Sequence, residues 1–203
     1  MVTIYVTRHG ETEWNRENRL QGWKDSPLTT KGVENAVKLG KRLQTTDINA
    51  IYTSPSERAL HTAEHISRGR DIPINKNSSL KEIYFGDWEG KNKDEITRNS
   101  SVEFSNFWRA PHLYNHELHN GEGLTDFKHR VRKVIQELIN NHNHERILVV
   151  THAVVIRAIM SYMMEIPTEK MWDPPFIHGT SLSVFQWDGE TFHVQSLGDT
   201  SHF

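Results

Sequence analysis

The chain has 203 residues, 35% of them hydrophobic and 25% charged, with a formal net charge of -2 and no cysteine. That length suits a single core-forming domain over 1–203, and the near-neutral charge speaks against a nucleic-acid surface, which needs a basic stripe. Without cysteine there is no disulfide, thiolate nucleophile or cysteine-held zinc, and no stretch approaches the ~20 apolar residues of a membrane span.

Ile4-Tyr5-Val6 reads as a short buried strand that runs into Arg8-His9-Gly10. This strand belongs to the fold and has none of the basic start and apolar core of a leader, so cytoplasm is the expected compartment. Residues 16–27 are polar and turn-rich. Thr29 or Thr30 can cap a helix whose apolar face is Val33, Ala36, Val37, Gly40 and Leu43. A second strand is expected over 50–54, then a helix carrying Arg58, Ala59, Thr62, Ala63 and Ile66 and ending near Gly69. Residues 72–74 read as an edge strand, because Pro73 has no N–H for a ladder. A loop over 80–90 mixes acidic and aromatic side chains. Residues 91–120 read as an insertion over one edge, with short helices near 93–98 and 102–108, then a loop rich in His and Asn. Leu124, Phe127, Val131, Val134, Ile135, Leu138 and Ile139 mark an amphipathic helix. Residues 146–152 read as a fully apolar strand of a sheet covered on both faces, with a helix directly after it over 153–164. Residues 181–187 and 192–197, joined by Asp188-Gly189, form a terminal hairpin.

Strands alternating with helices predict the α/β class: a three-layer α/β/α sandwich with a mostly parallel central sheet. Sites in such sheets gather at the carboxyl ends of strands. Three predicted strand ends carry Arg8-His9, Ser54 leading to Arg58, and His152. Two arginines, two histidines and a carboxylate at one edge suit a phosphoryl group, whose oxygens need fixed cationic donors where charge develops. The arginines and a protonated His152 would do the work a metal does elsewhere, so neither metal nor cofactor is expected. His9 and His152 are the nucleophile candidates, since Ser54 and Thr151 lack an evident paired base.

Arg8-His9-Gly10-Glu11-Thr12 resembles the signature of the histidine phosphatase (phosphoglycerate-mutase-like) superfamily. So do Ser54-Pro55-Ser56-Glu57-Arg58-Ala59, Leu80-Lys81-Glu82-Ile83 with Gly86-Asp87-Trp88-Glu89-Gly90, and Val149-Val150-Thr151-His152. They follow the family's order across nearly the whole chain. Phe107-Trp108-Arg109-Ala110-Pro111 and Trp172-Asp173-Pro174-Pro175 are similar to broad-specificity phosphatases of bacilli within that superfamily. The resemblance implies a phosphoglycerate-mutase-like fold with the helical insertion as a lid or cap over the site, and hydrolysis of phosphate monoesters. His9 would be the nucleophile and form a phosphohistidine, with Arg8, Arg58 and His152 on the phosphoryl oxygens. Asn15 would add a neutral donor, and Gln21-Gly22 would lie in the adjacent substrate loop. Glu82 would protonate the leaving alkoxide and then deprotonate water, a role that needs its pKa raised above the ~4.3 reference. The implied partners are small phosphate esters, with no nucleic acid and no membrane, for a monomer or small homo-oligomer. Ala153 stands where a Gly is common in the family and Asn35 where a Gln is common; neither change removes a catalytic group. The short insertion favours a phosphatase. The alternatives are a phosphoglycerate mutase, a dedicated α-ribazole phosphate phosphatase or, from another class, a non-catalytic phosphate-binding module.

His61 and His65 share the i, i+4 spacing of helical metal ligands but lack the Glu of His-Glu-x-x-His and a third ligand, so a packed or solvated pair is expected. His112, His116 and His119 read as loop decoration. Trp23, Phe85, Phe104, Phe107, Trp108 and Tyr114 divide between core packing and a pocket mouth, where they would favour apolar leaving groups. Asp87 and Glu89 lie close enough to Glu82 in sequence to compete for its role.

Overall fold

The computed structural model of the chain describes residues 1–203. Its strands are β1 (Val2–Arg8), β2 (Ala50–Thr53), β3 (Ile74–Lys76), β4 (Arg146–Thr151), β5 (Leu182–Trp187) and β6 (Phe192–Asp199). They form one sheet in the order β3-β2-β4-β1-β5-β6. The first four in that order run parallel, whereas β5 is antiparallel to β1 and β6 to β5. The helices are α1 (Glu13–Arg16), α2 (Thr30–Arg42), α3 (Glu57–Ser67), α4 (Lys93–Asn99), α5 (Ser101–Arg109), α6 (Leu124–Asn141) and α7 (Ala153–Met163).

Alternation along β4 explains the layering. Successive side chains point to opposite faces of a strand, and Ile147 and Val149 join one core while Leu148 and Val150 join the other. The larger core holds Phe127 and Val131 of α6 with Val155 and Ile159 of α7. The smaller one holds Ala36 and Leu39 of α2 with Ala59, Ala63 and Ile66 of α3. Both faces of the sheet are therefore apolar and covered, as the unbroken apolar run of β4 predicts. No helix is long and apolar enough to cross a membrane.

Three expectations need correction. Ala36 and Leu43 enter the core as expected, but the buried face of α2 is completed by Gly32, Asn35 and Leu39, with Val33 and Val37 only half-buried. The helix approaches its neighbours backbone to backbone: a Cβ on Gly32 would stand 2.2 Å from the Glu11 carbonyl oxygen, and one on Gly40 2.6 Å from that of Ile66. That contact rotates the valines toward solvent. The edge strand begins at Ile74, not Ile72, because pairing starts only after Pro73, whose carbonyl accepts from the Ile51 N–H. His119 is no loop decoration. It is buried, stacks on Trp88 with centroids 3.7 Å apart, and bonds to the Tyr114 hydroxyl and the Phe85 carbonyl. Within the insertion, Ile96 and Phe107 enter the larger core, which fixes this segment against the body.

Candidate active site

The parallel register brings three carboxyl ends level: Arg8 of β1 lies beside Thr151 of β4, and Thr53 of β2 beside Val150. One residue further, the His9 N–H donates to the Thr151 carbonyl at 2.8 Å and the Ser54 N–H to that of Val150 at 3.1 Å. His9, Ser54 and His152 therefore share one edge. The two imidazole centroids are 5.2 Å apart.

His9 is held in one tautomer. Its Nδ1 lies 2.7 Å from the Gly10 carbonyl, which can only accept, so Nδ1 carries the proton and Nε2 the lone pair. The Arg58 Nε–H donates to Nε2 at 3.3 Å. Burial pushes the His9 pKa well below the ordinary imidazole value, and Arg58 and Arg8 push the same way. The result is a neutral imidazole with a directed lone pair.

Arg58, fully buried on α3, is fixed from three sides. Its Nη1 donates to Asp25 at 2.8 Å and to the Lys24 carbonyl at 3.0 Å, and Nη2 to the Gly22 carbonyl at 2.7 Å. Gly22 can serve this way because it has no Cβ, which would stand 2.0 Å from Glu89 Oε1. Arg8 donates from Nη1 to the Ile177 carbonyl at 3.0 Å, while its buried Nε has no partner. His152 binds Ser54 Oγ through Nε2 at 2.8 Å, and its buried Nδ1 likewise has no partner. Such orphaned polar atoms are rare inside proteins. Burial, then Arg58, His9 and Arg8, holds the His152 pKa well below the usual range. The protonated His152 expected from the sequence is thus disfavoured in this structure, first by burial and then by the cationic groups around it.

Glu82 accepts from the N–H groups of Ile83 at 3.0 Å and Val154 at 3.1 Å. Burial raises its pKa, against the opposing pull of these bonds, Arg58 and Arg8. Its backbone is clamped by Arg130 of α6, which donates to the carbonyls of Ser79, Lys81 and Glu82 at 2.8, 2.8 and 3.0 Å. Arg130 also forms a two-point ion pair with Glu122. The neighbouring acids are otherwise engaged. Glu89 accepts from the N–H groups of Trp23, Lys24 and Phe85, and Asp87 from Asn120.

Arg8, His9, Asn15, Gln21 and Glu82 line a cleft of about 300 Å³ together with Phe85, Trp108, Trp172 and Phe176. Arg58, His152 and Gly22 are not part of this lining. Asn15 Oδ1 accepts from the Thr12 N–H at 3.1 Å, which leaves its Nδ2 donors without a protein partner. Gln21 is tied to Thr12 and Ser26. Of the aromatics singled out from sequence, Phe85 and Trp108 reach the cleft, Phe107 is fully buried, and Phe104 and Tyr114 pack against the core. Trp23 is half exposed, its indole N–H on the Glu82 carbonyl at 3.1 Å. Sequence reasoning missed Arg130, Arg157 and Phe176. Trp172 carried part of the resemblance, but nothing in its spacing marked it as cleft lining.

The model of the histidine phosphatase superfamily (branch 1) matches residues 4–200. The structure of YhfR from Bacillus stearothermophilus is 48% identical, with a TM-score of 0.96 over 100% of this chain and 99% of that one. Adenosylcobalamin/alpha-ribazole phosphatase of Escherichia coli K12 is 31% identical over 175 residues, 84% of this chain and 83% of its own. A phosphoglycerate mutase structure from Bacillus anthracis is 27% identical, with a TM-score of 0.82 over 99% of this chain and 94% of its own. With the match spanning nearly every residue, and the strand-end histidines and arginines gathered at one cleft, this chain belongs to the histidine phosphatase superfamily.

Proposed function

We propose that the chain is a phosphatase that hydrolyses phosphate monoesters of broad range without a metal ion, through a phosphohistidine on His9. One observation carries the reading: a neutral imidazole with a fixed Nε2 lone pair shares a cleft with a carboxyl group whose burial resists ionisation. A nucleophile and a proton donor are what ester cleavage needs on opposite sides of phosphorus.

His9 Nε2 attacks phosphorus in line, the ester P–O bond breaks, and Glu82 passes its proton to the departing alkoxide. As Nε2 bonds to phosphorus, the Arg58 Nε–H is released to a phosphoryl oxygen. Arg8 Nε and Asn15 Nδ2 supply further donors. The phosphoryl dianion opposes the surrounding cations and raises the His152 pKa, so that Nδ1 takes up a proton and donates to an oxygen. Water then attacks phosphorus, giving its proton to the Glu82 carboxylate as the N–P bond breaks. Phosphate leaves, His152 gives up the proton it had taken from solvent, and His9 and Glu82 return to their starting states. Residues 91–120 serve as the cap of a single 1–203 domain, contributing Lys93 and Trp108 to the cleft. Cytoplasmic location, small phosphate esters as the only class of partner and a monomeric or small homo-oligomeric state belong to the same proposal.

The test is hydrolysis of a panel of phosphomonoesters in EDTA beside a phosphoglycerate mutase assay. Phosphate release from several esters supports the proposal. Interconversion of phosphoglycerates with little hydrolysis makes the chain a mutase, turnover of α-ribazole phosphate alone makes it a dedicated phosphatase, and binding without turnover makes it a binding module.

A further inference from the structure

Gly86-Asp87-Trp88-Glu89-Gly90 supplies no reacting group, yet it carries a carboxylate, that of Glu89, which is only 5% exposed. Burying a carboxylate is costly unless donors meet it, and every donor to this one is a backbone N–H. Oε1 accepts from Phe85 at 3.1 Å and Trp23 at 2.8 Å, and Oε2 from Lys24 at 2.8 Å. The Phe85 bond closes a single turn over Gly86–Trp88, with Gly86 and Gly90 at φ of +56° and +85°. That turn fixes the carboxylate. Its other two bonds hold a loop that lies about 65 residues away in sequence.

The loop has little else to fix it. Residues 21–26 form no backbone–backbone hydrogen bond, so side chains set its path. Yet it supplies three of the four acceptors of the buried Arg58: the carbonyls of Gly22 and Lys24 and the carboxylate of Asp25. The fourth is His9 Nε2. Glu89 and Arg58 grip one peptide from opposite sides. In a planar trans peptide the N–H and C=O point opposite ways. Seating the Trp23 N–H on Glu89 therefore aims the Gly22 carbonyl at Arg58 Nη2.

We propose that Glu89 is a positioning residue for Arg58. It sets the loop, the loop sets the guanidinium, and the guanidinium meets His9 and the incoming phosphoryl group. Glu89 lies outside the cleft lining, so it acts only through Arg58. A small misplacement of such a group is costly to binding and to reaction. The proposal rests on the reading that the cleft takes phosphate esters, so its test reads ligand binding and the His9 ring without turnover.

Calorimetry of inorganic phosphate binding and ¹⁵N NMR titration of His9 are applied to the wild-type protein, Glu89→Gln, Arg58→Gln and the double variant. Glu89→Gln should weaken phosphate binding about tenfold, the size of one charge-assisted contact. It should also move the His9 titration to higher pH, since Arg58 is, after burial, what holds that pKa down. In the Arg58→Gln background the same substitution should change neither, because one residue acts through the other. A carboxylate that merely stabilised the fold would lower Tm, leave the His9 titration in place and add its loss to that of Arg58→Gln. Such additivity, or unchanged phosphate affinity and His9 titration in Glu89→Gln, overturns the proposal. Glu89→Asp carries the same cycle if Glu89→Gln fails to fold. A wild-type protein that binds no phosphate removes the phosphate-ester reading, and the His9 titration then decides the role of Glu89.

Discussion

The Nε–H of Arg58 points at Nε2 of His9 across 3.3 Å, while Nδ1 of the same ring is held by Gly10 at 2.7 Å. One hydrogen bond fixes the tautomer and the other fixes where the lone pair points. Burial, and after it this permanent cation, keeps a proton off Nε2. The acid limb of kcat/KM set by His9 therefore falls well below the ordinary imidazole range, since protonated His9 has no lone pair to offer. Arg58→Gln removes that charge and a phosphoryl donor. It should move the limb to higher pH and lower kcat by about 10²–10³, as a pH–rate series on both proteins checks.

Glu82 limits the opposite side. Its pKa is raised by burial, and the protonated form acts on the leaving group. Activity on an alkyl phosphate should fall as pH rises through that raised value. Glu82→Gln should lose about 10²–10⁴ on alkyl phosphates and far less on 4-nitrophenyl phosphate, whose leaving group needs no proton. Equal losses on both esters would remove Glu82 as the acid.

Burial, and after it the cationic neighbours, push the His152 pKa well below the ordinary imidazole value, and a bound dianion changes that balance. Sulfate, which carries no titratable proton near neutrality, should bind with net proton uptake. The uptake is read as a dependence of calorimetric heat on buffer ionisation enthalpy, and His152→Asn should abolish it. The same depressed pKa values link to stability. The unfolded chain binds protons on His9 and His152 that the folded chain refuses, so the stability present above the ordinary imidazole pKa is lost as pH falls below it.

Arg130 touches no position where substrate would react, yet it donates to three carbonyls of the segment ending in Glu82. It is a positioning residue for the acid. Arg130→Gln should lower kcat on alkyl phosphates about tenfold or more, within the range that general acid catalysis supplies, with a small effect on 4-nitrophenyl phosphate. A merely structural role would lower both equally.

Much of the site was legible because its chemistry sits at strand ends, where a short apolar run and the next two residues fix both position and direction. Arg8-His9, Ser54 and His152 follow from that rule alone. Arg130 was illegible for the opposite reason. On an amphipathic helix a polar residue reads as solvated, and its carbonyl partners lie about 50 residues away in sequence. The protonation of His152 is a sum of charges over space, which spacing along the chain does not encode. The buried stack of His119 on Trp88 is also tertiary, formed across a polar stretch with no periodicity. On α2 periodicity placed Ala36 and Leu43 correctly but not Val33 and Val37, because close approach at Gly32 and Gly40 turns the two valines outward.

The proposed reaction places phosphorus on His9. Rapid quench of the enzyme with a ³²P-labelled phosphomonoester, followed by peptide mapping, detects that bond. An acid-labile, base-stable label is expected on the peptide containing His9, formed within one turnover and absent from a folded His9→Ala variant that no longer turns over. Label on another residue, or continued turnover by His9→Ala, would contradict it.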